Sequence, residues 1–358
     1  MTKIKVAILY GGRSVEHGVS INSARNIFEF IDKEKFEPIP VGIAQNGKWY
    51  LTPTVQKEIE QGKSLHLQLD PEKSSLITED GKAYLADIVF PVLHGTDGED
   101  GSIQGLLKTM EIPMVGTGVL GSSLSMNKLV TKRILHEVGL PVAGFMFLTF
   151  GDKPFSFEEV KEQLGLPFMV KSASLGSSVG VSKVKSKGEF AKAVEEAFRY
   201  DDSILFEEFI MGREIECAVL GNDPPKASQP GEIIVSKKYE FYTFDAKYVD
   251  GEAVRIDVPA KLDAVVAAHI RDLSVRAYQA LYCEDFARVD LFLTADKKVY
   301  INEINTIPGF TNSSMFPMMW NERGIGFTAL ISQLIELAQE RFSKSKRKER
   351  DYTSSLKF

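Results

Sequence analysis

One pattern occurs twice in the first hundred or so residues: a short apolar run, a glycine-rich segment and then a helix-like stretch. The run at 6–10 precedes GGRSVEHGVS and SARNIFEFID, and the run at 85–93 precedes HGTDGEDG and SIQGLLKTM. Strand, loop and helix in this order are typical of a parallel α/β unit. Such sheets bind ligands at the carboxyl ends of their strands, where both glycine-rich segments fall. The pattern therefore predicts an N-terminal α/β domain with a binding site at one edge of its sheet.

Two further regions follow, and each mixes helical and strand patterns. The second begins near Gly118 and contains an apolar strand that ends at Lys171 and enters a Gly/Ser loop. The third follows Met211 and contains a long helix, a predicted strand hairpin and a final amphipathic helix. A chain of 358 residues is long enough for two or three domains. We predict domains at 1–117, 118–210 and 211–343, and a basic flexible tail at 344–358.

Composition limits the classes of function. The 43 Lys and Arg residues and 49 Asp and Glu residues give a net charge of −6, which argues against a whole-chain nucleic-acid binder. If such a chain binds an anionic ligand, its positively charged residues must be concentrated at the binding site rather than spread over the surface. No apolar run approaches the ~18 residues of a membrane helix, so no membrane contact is expected. Two cysteines, Cys217 and Cys283, are typical of reduced thiols, and the five histidines show no zinc-site spacing. We expect a cytoplasmic protein.

The predicted hairpin at 286–306 gathers polar side chains on one surface. Residues two apart in a strand share a face, which groups Arg288 with Asp290. In the second strand the same rule groups Val299, Ile301, Glu303 and Asn305. If Asp290 opposes Glu303, two carboxylates and an amide oxygen converge, and such oxygen ligands suit Mg²⁺. Exposed polar positions on a half-solvated sheet remain the alternative.

A second candidate element is Lys171 with the loop SLGSSVG that follows it. Gly176 and Gly180 would allow backbone angles that other residues avoid, so that successive N–H groups could surround phosphate oxygens. Lys171 would add a point charge. The segment lacks the pattern of a P-loop, and an ordinary turn is the alternative.

Two more segments carry candidate residues. Lys128 lies in a predicted helix, where a solvated lysine is the usual finding. Glu207 and Glu214 flank a predicted turn in FEEFIMGRE and could accept hydrogen bonds from an adenine amine and ribose hydroxyls. A charged linker between domains would explain them equally well.

Taken together, these elements resemble the D-alanine–D-alanine ligase family of the ATP-grasp superfamily. The resemblance covers most of the chain and rests on eight motifs in order: LYGGRSVEHGVS, PVLHGTDGEDGSIQG, SMNKL, VKSASLGSSVG, EEFIMGREI, FDAKY, ARVD and INEINTIPGFTNSSM. It implies a mixed α/β and α+β fold of three domains, in which the N-terminal parallel α/β domain precedes an ATP-grasp unit. The nucleotide would lie between the central and C-terminal domains.

The resemblance also implies an activity and a set of site residues. Members join two D-alanines for peptidoglycan synthesis, with ATP as co-substrate and a D-alanyl phosphate intermediate. Their metal ligands, which hold two Mg²⁺ or Mn²⁺ ions, match Asp290, Glu303 and Asn305. Their ATP-binding residues match Lys128, Lys171, Glu207, Glu208, Ile210, Glu214, Lys247 and Phe292. Their substrate-binding residues match His94, Ser313, Ser314 and Met315, and their catalytic residues match Glu16, Ser177, Tyr248, Arg288 and Gly309.

Several of these matches imply distinct roles. Glu16 would hold the ammonium of the first D-alanine, and His94 would lie near its carboxylate. Arg288 and the backbone N–H of Gly309 would stabilise the developing oxyanion. Ser314, with Ser313, would receive the carboxylate of the second substrate. Met315 stands where the family usually has leucine, so the second methyl pocket could differ slightly.

The polar and aromatic segment 238–259 is long enough to be a lid over the site. By the same resemblance, Lys247 would contact phosphate, and Tyr248 would form a hydrogen-bonded triad with Ser177 and Glu16. Relatives that make D-alanyl-D-lactate lack this Lys-Tyr pair, so FDAKY favours D-alanine as the second substrate.

Other functions fit the sequence less well. D-Alanine–D-serine or D-alanine–D-lactate ligation is the nearest alternative. A nucleotide-dependent oxidoreductase would leave the hairpin carboxylates unexplained, and LYGGRSVEHG lacks Gly-x-Gly-x-x-Gly. A non-catalytic nucleotide-binding module would be expected to have lost some of the charged site residues. The family also suggests a homodimer.

Overall fold

The computed structural model describes residues 2–69, 75–84, 86–177, 179–236 and 254–347. The helices in this part of the chain are α1 (His17–Phe30), α2 (Ser102–Thr109), α3 (Val119–Met126), α4 (Lys128–Glu137), α5 (Phe157–Leu164), α6 (Lys187–Phe198), α7 (Ala264–Ala280), α8 (Met315–Glu322) and α9 (Phe327–Ser345). The strands are β1 (Ile4–Gly11), β2 (Phe36–Ile43), β3 (Trp49–Leu51), β4 (Lys63–Gln68), β5 (Ser75–Thr78), β6 (Ala83–Tyr84), β7 (Ile88–Pro91), β8 (Phe145–Thr149), β9 (Phe168–Ser172), β10 (Val181–Val184), β11 (Ser203–Glu208), β12 (Gly212–Leu220), β13 (Lys226–Ala227), β14 (Gly231–Val235), β15 (Val254–Asp257), β16 (Phe286–Thr294) and β17 (Val299–Asn305). No helix among these residues is long and apolar enough to cross a membrane.

The first sheet is a parallel α/β unit with an antiparallel extension. Strand β1 lies between β2 and β7 and pairs with both in parallel, which confirms the predicted α/β order. Strands β3 to β6, which were not predicted from the sequence, continue the sheet beyond β2 in antiparallel pairs. Strand β1 ends at Gly11, where φ is 90° and an added Cβ would lie 2.3 Å from the carbonyl oxygen of Ile43. Only glycine fits there, so the chain can turn from β1 towards α1.

The second sheet is antiparallel, in the order β10-β9-β11-β8. Its core contains a cluster of aromatic rings, in which Phe168, Phe190 and Phe206 lie within 6.5 Å of one another. Asn127 separates α3 from α4, and its side-chain oxygen caps α4 by accepting from the N–H of Val130 at 3.0 Å. The cap fixes the start of α4, and therefore Lys128, beside the end of β9.

The third sheet has the strand order β15-β14-β12-β16-β17, with β13 paired to β12. One of its faces packs against α7, where Ile270 and Leu273 share a core with Val289 and Leu291. A second core joins the first sheet to α8 and α9, so the N-terminal and C-terminal regions pack together. The three sheets fall within the three predicted regions, and the domain limits themselves remain predictions. Helix α9 continues to Ser345, so the predicted tail at 344–358 begins inside a helix, and 348–358 lies outside the described residues.

Candidate active site

Two cavities meet between the sheets. A cavity of about 620 Å³ lies between the first and third regions and contains Glu16, His94 and Ser314. A cavity of about 420 Å³ lies between the second and third sheets. The residues that line both cavities are Lys128, Gly176, Ser177, Glu216 and Glu303. These shared walls make the two cavities neighbours, so a group bound in one can reach the other.

The hairpin pairs its charged residues as the sequence predicts. Asp290 lies opposite Glu303, and Arg288 lies opposite Asn305 across β16 and β17. A β-bulge after this pair shifts the register, so that Leu291 faces Ile301 and Asn302 has no partner position. The expectation that Ile301 shares a face with Glu303 is therefore wrong. Ile301 is buried in the core, and the bulge brings Asn302 and Glu303 together to the cavity wall.

Arg288 is held by two carboxylates. Its Nε and Nη2 donate to the two oxygens of Asp290 at 2.7 Å each, and its Nε lies 2.9 Å from Oε2 of Glu216. Glu216 is buried and lies opposite Asp290 across β12 and β16. Sequence reasoning missed Glu216, although its cross-strand position two residues after Glu214 could have revealed it. The arrangement fixes a guanidinium at the junction of the two cavities.

The donor set at this junction fits a divalent cation. Asp290 and Glu303 offer carboxylate oxygens, and Asn305 offers an amide oxygen, which are ligands that Mg²⁺ prefers. Here the Nδ2 of Asn305 donates to Oδ2 of Asp290 at 2.9 Å, and Arg288 occupies both oxygens of Asp290. A bound cation would therefore require the amide of Asn305 to reverse. Asp290 could keep its bonds to Arg288, because each carboxylate oxygen has two lone pairs.

Lysines face this junction from the second sheet and from α4. The Nζ of Lys128 donates to the carbonyl of Leu175 at 2.6 Å and lies 3.8 Å from Oε2 of Glu303. Lys171 forms an ion pair with Glu207, and its Nζ lies 3.4 Å from Oδ1 of Asn302. The structure thus brings both predicted lysines to the cavity that separates the second and third sheets.

Glu207 lines the same cavity and is held by two buried ion pairs. It is 2% exposed, and its two oxygens form ion pairs with Lys171 and Lys132. Burial alone would raise its pKa, but the two ammonium groups hold the pKa of Glu207 down at about 2. Burial lowers the pKa of Lys132, and Glu207 opposes that effect. Sequence reasoning missed Lys132, which lies one helical turn after Lys128.

The other predicted ATP-binding residues line the same cavity where they are described. They are Glu208, Ile210, Glu214 and Phe292. Glu214 and Phe292 are paired across β12 and β16, so the ring and the carboxylate share one stretch of wall. Lys183 also lines this cavity, with its Nζ 3.8 Å from the ring centre of Phe209, and it was not predicted. Lys247 lies outside the described residues.

The loop after β9 meets the N-terminal region at Glu16. The hydroxyl of Ser177 donates to Oε1 of Glu16. Ser177 has φ 55°, in the left-handed region, and Gly180 has φ 67° as the sequence predicts. Gly176 is different, because its φ is not positive; an added Cβ there would lie 3.3 Å from Oε2 of Glu16. Two members of the predicted triad therefore meet, and the third, Tyr248, lies outside the described residues.

The segment after β17 is hydrogen-bonded to the N-terminal region at Ile307 and at Phe310. The carbonyl of Ile307 lies 2.8 Å from Nδ1 of His94, and its N–H donates to Glu99 at 3.0 Å. The Nε2 of His94 lies 3.0 Å from Oγ of Ser23, which accepts from the N–H of Phe310 at 3.2 Å. Burial lowers the pKa of His94. His94 is thus committed to orienting this segment, and Glu99 is a second anchor that sequence reasoning missed.

The second-substrate candidates lie at the start of α8. Ser314 precedes the helix, and its Oγ accepts from the N–H of Thr311 at 3.0 Å. Gly309 lies nearby, and an added Cβ there would be 3.3 Å from Oγ of Ser314. Ser313 is exposed and Met315 is buried, and both line the larger cavity. The structure therefore brings Gly309, Ser313, Ser314 and Met315 to the cavity that Glu16 also lines.

Glu99 gives a prediction about pH. Burial, reinforced by the charge of Glu16, raises the pKa of Glu99 from 4.5 to about 8. The folded chain then keeps a proton that the unfolded chain loses above pH 4.5, so stability from this group falls as pH rises towards 8. We expect Glu99→Gln to reduce this fall by up to about 1.4 kcal/mol per pH unit. Denaturant unfolding at a series of pH values from 5 to 8 measures how the free energy of unfolding changes with pH in each protein.

The control for this experiment is Glu162→Gln, which removes an exposed carboxylate on α5 and should leave the slope unchanged. An identical pH slope in the Glu99→Gln protein and the unmodified chain would contradict the raised pKa.

The fold and the joined cavities define an enzyme of the ATP-grasp class. Comparisons with known proteins give the family. The D-ala D-ala ligase N-terminus model matches residues 5–117, and the D-ala D-ala ligase C-terminus model matches residues 134–336. The chain belongs to the D-alanine–D-alanine ligase family.

Individual relatives are similar to this chain over nearly its whole length. D-alanine–D-alanine ligase A of Salmonella typhimurium is 46% identical over 355 residues, which cover 95% of this chain and 97% of that protein. The D-alanine–D-alanine ligase of Oceanobacillus iheyensis is 44% identical, with 95% and 96% covered. The solved D-alanine–D-alanine ligase from Coxiella burnetii has a TM-score of 0.87 at 38% identity and 97% coverage of both chains. The VanG D-Ala:D-Ser ligase from Enterococcus faecalis has a TM-score of 0.86 at 34% identity, with 94% of this chain and 100% of that chain covered.

Proposed function

We propose that this chain is a ligase that joins two D-alanines into D-alanyl-D-alanine for peptidoglycan synthesis, with ATP as co-substrate. The observation that carries the proposal is the junction of the two cavities at Lys128, Glu303 and Ser177. A nucleotide in the smaller cavity would direct its terminal phosphate towards a substrate beside Glu16. Membership of the ligase family supports the reaction type.

The main chemical problem is negative charge. In the first step the carboxylate of one D-alanine attacks the γ-phosphorus, and ADP leaves to give D-alanyl phosphate. In the second step the amine of the other D-alanine attacks the acyl carbon, inorganic phosphate leaves, and the nitrogen loses a proton. Cationic side chains aimed at the developing charge lower both barriers. Lys128, Lys171 and Arg288 are the described groups that we assign to this task, and Lys247 would join them.

We assign Asp290, Glu303 and Asn305 to two Mg²⁺ or Mn²⁺ ions. When bound, these ions would neutralise the triphosphate. The support is the oxygen donor set at the cavity junction, where Asp290 and Glu303 are paired across two strands. Arg288, held in place by Asp290 and Glu216, would stabilise the oxyanion from this fixed position.

Two sets of groups that line the larger cavity would place the two substrates. Glu16 would hold the ammonium of the first D-alanine, and its contact with Ser177 supports that placement because it fixes the carboxylate. Gly309, whose backbone N–H we assign to the oxyanion, lies beside Ser314, which would receive the carboxylate of the second D-alanine. Tyr248 would close a lid over the site and exclude water from the reactive acyl phosphate.

We also propose that the protein acts in the cytoplasm, as a homodimer, without nucleic acid or membrane as a partner. Membership of the ligase family is the support for each of these proposals.

The test is phosphate release with ATP, Mg²⁺ and each of D-alanine, L-alanine, D-serine and D-lactate. We expect turnover with D-alanine and none with L-alanine, and Asp290→Asn supplies the matched inactive control for contaminating ATPase. No D-alanine-dependent release would refute the ligase. If a mixture of D-alanine and D-serine gives more of the mixed dipeptide than of D-alanyl-D-alanine, the result would favour D-Ala:D-Ser ligation, the activity of the Enterococcus faecalis relative.

A further inference from the structure

A buried lysine lies behind the nucleotide cavity. Lys132 on α4 is 2% exposed, and its Nζ forms an ion pair with Oε1 of Glu207. It is not among the described residues that line either cavity, whereas Glu207 lines the smaller one. The ring centre of Phe145 lies 6.0 Å from its Nζ, which closes the other side. Lys132 therefore reaches the cavity only through Glu207.

Glu207 consequently has two counter-ions in different positions. Lys171 faces the cavity and also lies 3.4 Å from Asn302 on the opposite sheet, whereas Lys132 stays behind the carboxylate. A phosphate bound in the cavity would compete with Glu207 for Lys171. A buried carboxylate that loses its only partner is strongly destabilised and takes up a proton more readily. With Lys132 in place, Glu207 keeps a partner that no ligand can displace.

The charge state of Glu207 decides which base it can bind. An ionised carboxylate only accepts hydrogen bonds, whereas a protonated one can also donate. The 6-amino group of adenine donates, whereas the 6-oxo group of guanine or hypoxanthine accepts. An ionised Glu207 therefore favours an aminopurine and repels a 6-oxopurine.

We infer that Lys132 is a positioning residue that keeps Glu207 an anionic acceptor and thereby sets the preference for adenine nucleotides over 6-oxopurine nucleotides. The inference rests on the proposed use of ATP in this cavity. It extends that proposal, because it assigns base selectivity to a side chain that does not touch the nucleotide.

The experiment measures binding of ATP and ITP to the full-length purified protein by titration calorimetry with Mg²⁺ and no D-alanine. We expect Lys132→Met to weaken ATP binding about tenfold or more and to change ITP binding less than about threefold. The ratio of the two affinities would then fall about tenfold. Lys132→Arg keeps the charge and should restore most of the ratio. Arg133→Met, on the exposed face of the same helix, should leave both affinities unchanged.

An unchanged ATP-to-ITP ratio in folded Lys132→Met protein would overturn the inference. If that variant does not fold, Lys132→Met/Glu207→Gln replaces both buried charges together, and retention of the original ratio there would overturn it equally. Because binding is measured without turnover, failure of the proposed ligase activity can be distinguished from failure of the inference about Lys132. A chain that binds ATP but fails to ligate D-alanine refutes the proposed ligase activity. In that case the ratio of ATP to ITP affinity still tests the role of Lys132. A chain that binds neither nucleotide refutes both.

Discussion

Replacement of Arg288 by methionine is expected to lower kcat for D-alanine ligation by at least about 10²–10³-fold. Arg288 is fixed at the junction of the two cavities by Asp290 and Glu216, so its guanidinium is preorganised where negative charge would develop on the acyl oxygen. Such a group acts mainly in the transition state. ATP affinity should therefore fall far less than kcat, and the split between kcat and the KM for ATP measures the difference.

The matched control is Arg213→Met. Arg213 also forms a bidentate ion pair, with the oxygens of Glu232 at 2.7 and 2.6 Å, and it lies on the same sheet. It is outside the described residues that line the cavities, so its loss should change kcat less than about twofold. A folded Arg288→Met protein with kcat within tenfold of the original would contradict the oxyanion role. Thermal unfolding of each variant separates a catalytic loss from a folding defect.

Strand alternation and numbering were sufficient to predict the centre of this site. The pairing of Asp290 with Glu303 follows from the positions of two strands and one short turn, and the structure confirms it. The bulge beyond that pair could not be predicted, because one extra residue in a strand leaves no signal in an alternating pattern. Its effect is local but important, since it turns Asn302 towards Lys171.

The buried charges were harder to predict than the exposed ones. Lys132 has the sequence context of a solvated helical lysine, and only the packing of α4 against the second sheet shows that it is buried. Glu99 lies in an acidic, glycine-rich loop, where a carboxylate is usually solvated. Its contact with Ile307 joins positions far apart in the chain. Burial of this kind depends on tertiary contacts, which motif spacing does not encode.

In the N-terminal region, too, the sequence pattern predicted some elements of the fold and not others. Repeated strand, loop and helix patterns predicted the parallel pairs of β1 with β2 and β7. Among the strands β3 to β6, β3 and β6 have only three and two residues. Their pairing depends on neighbouring strands rather than on local propensity. They extend the sheet on the side away from β7, and none of their described residues lines either of the two cavities.

The second large effect expected concerns stability. Arg341 on α9 joins the first and third regions: its Nη2 donates to Oδ2 of Asp285 at 2.9 Å and to the carbonyls of Met114 and Gly116 at 2.8 Å each. Asp285 is fully buried and also accepts from the N–H of Gly116 at 2.9 Å. We expect Arg341→Met to lower the free energy of unfolding by about 3–5 kcal/mol, because it leaves a buried carboxylate without its cation.

Denaturant unfolding would measure this loss, with Arg276→Met as the control. Arg276 lies 3.6 Å from Asp272 in an exposed pair along α7, and its removal should cost less than about 1 kcal/mol. Adding Asp285→Asn to Arg341→Met should recover part of the stability, since the neutral amide needs no counter-ion. A loss below about 1 kcal/mol for Arg341→Met would show that water or another cation reaches Asp285. The junction between the N-terminal sheet and α9 would then be held by apolar packing rather than by this ion pair.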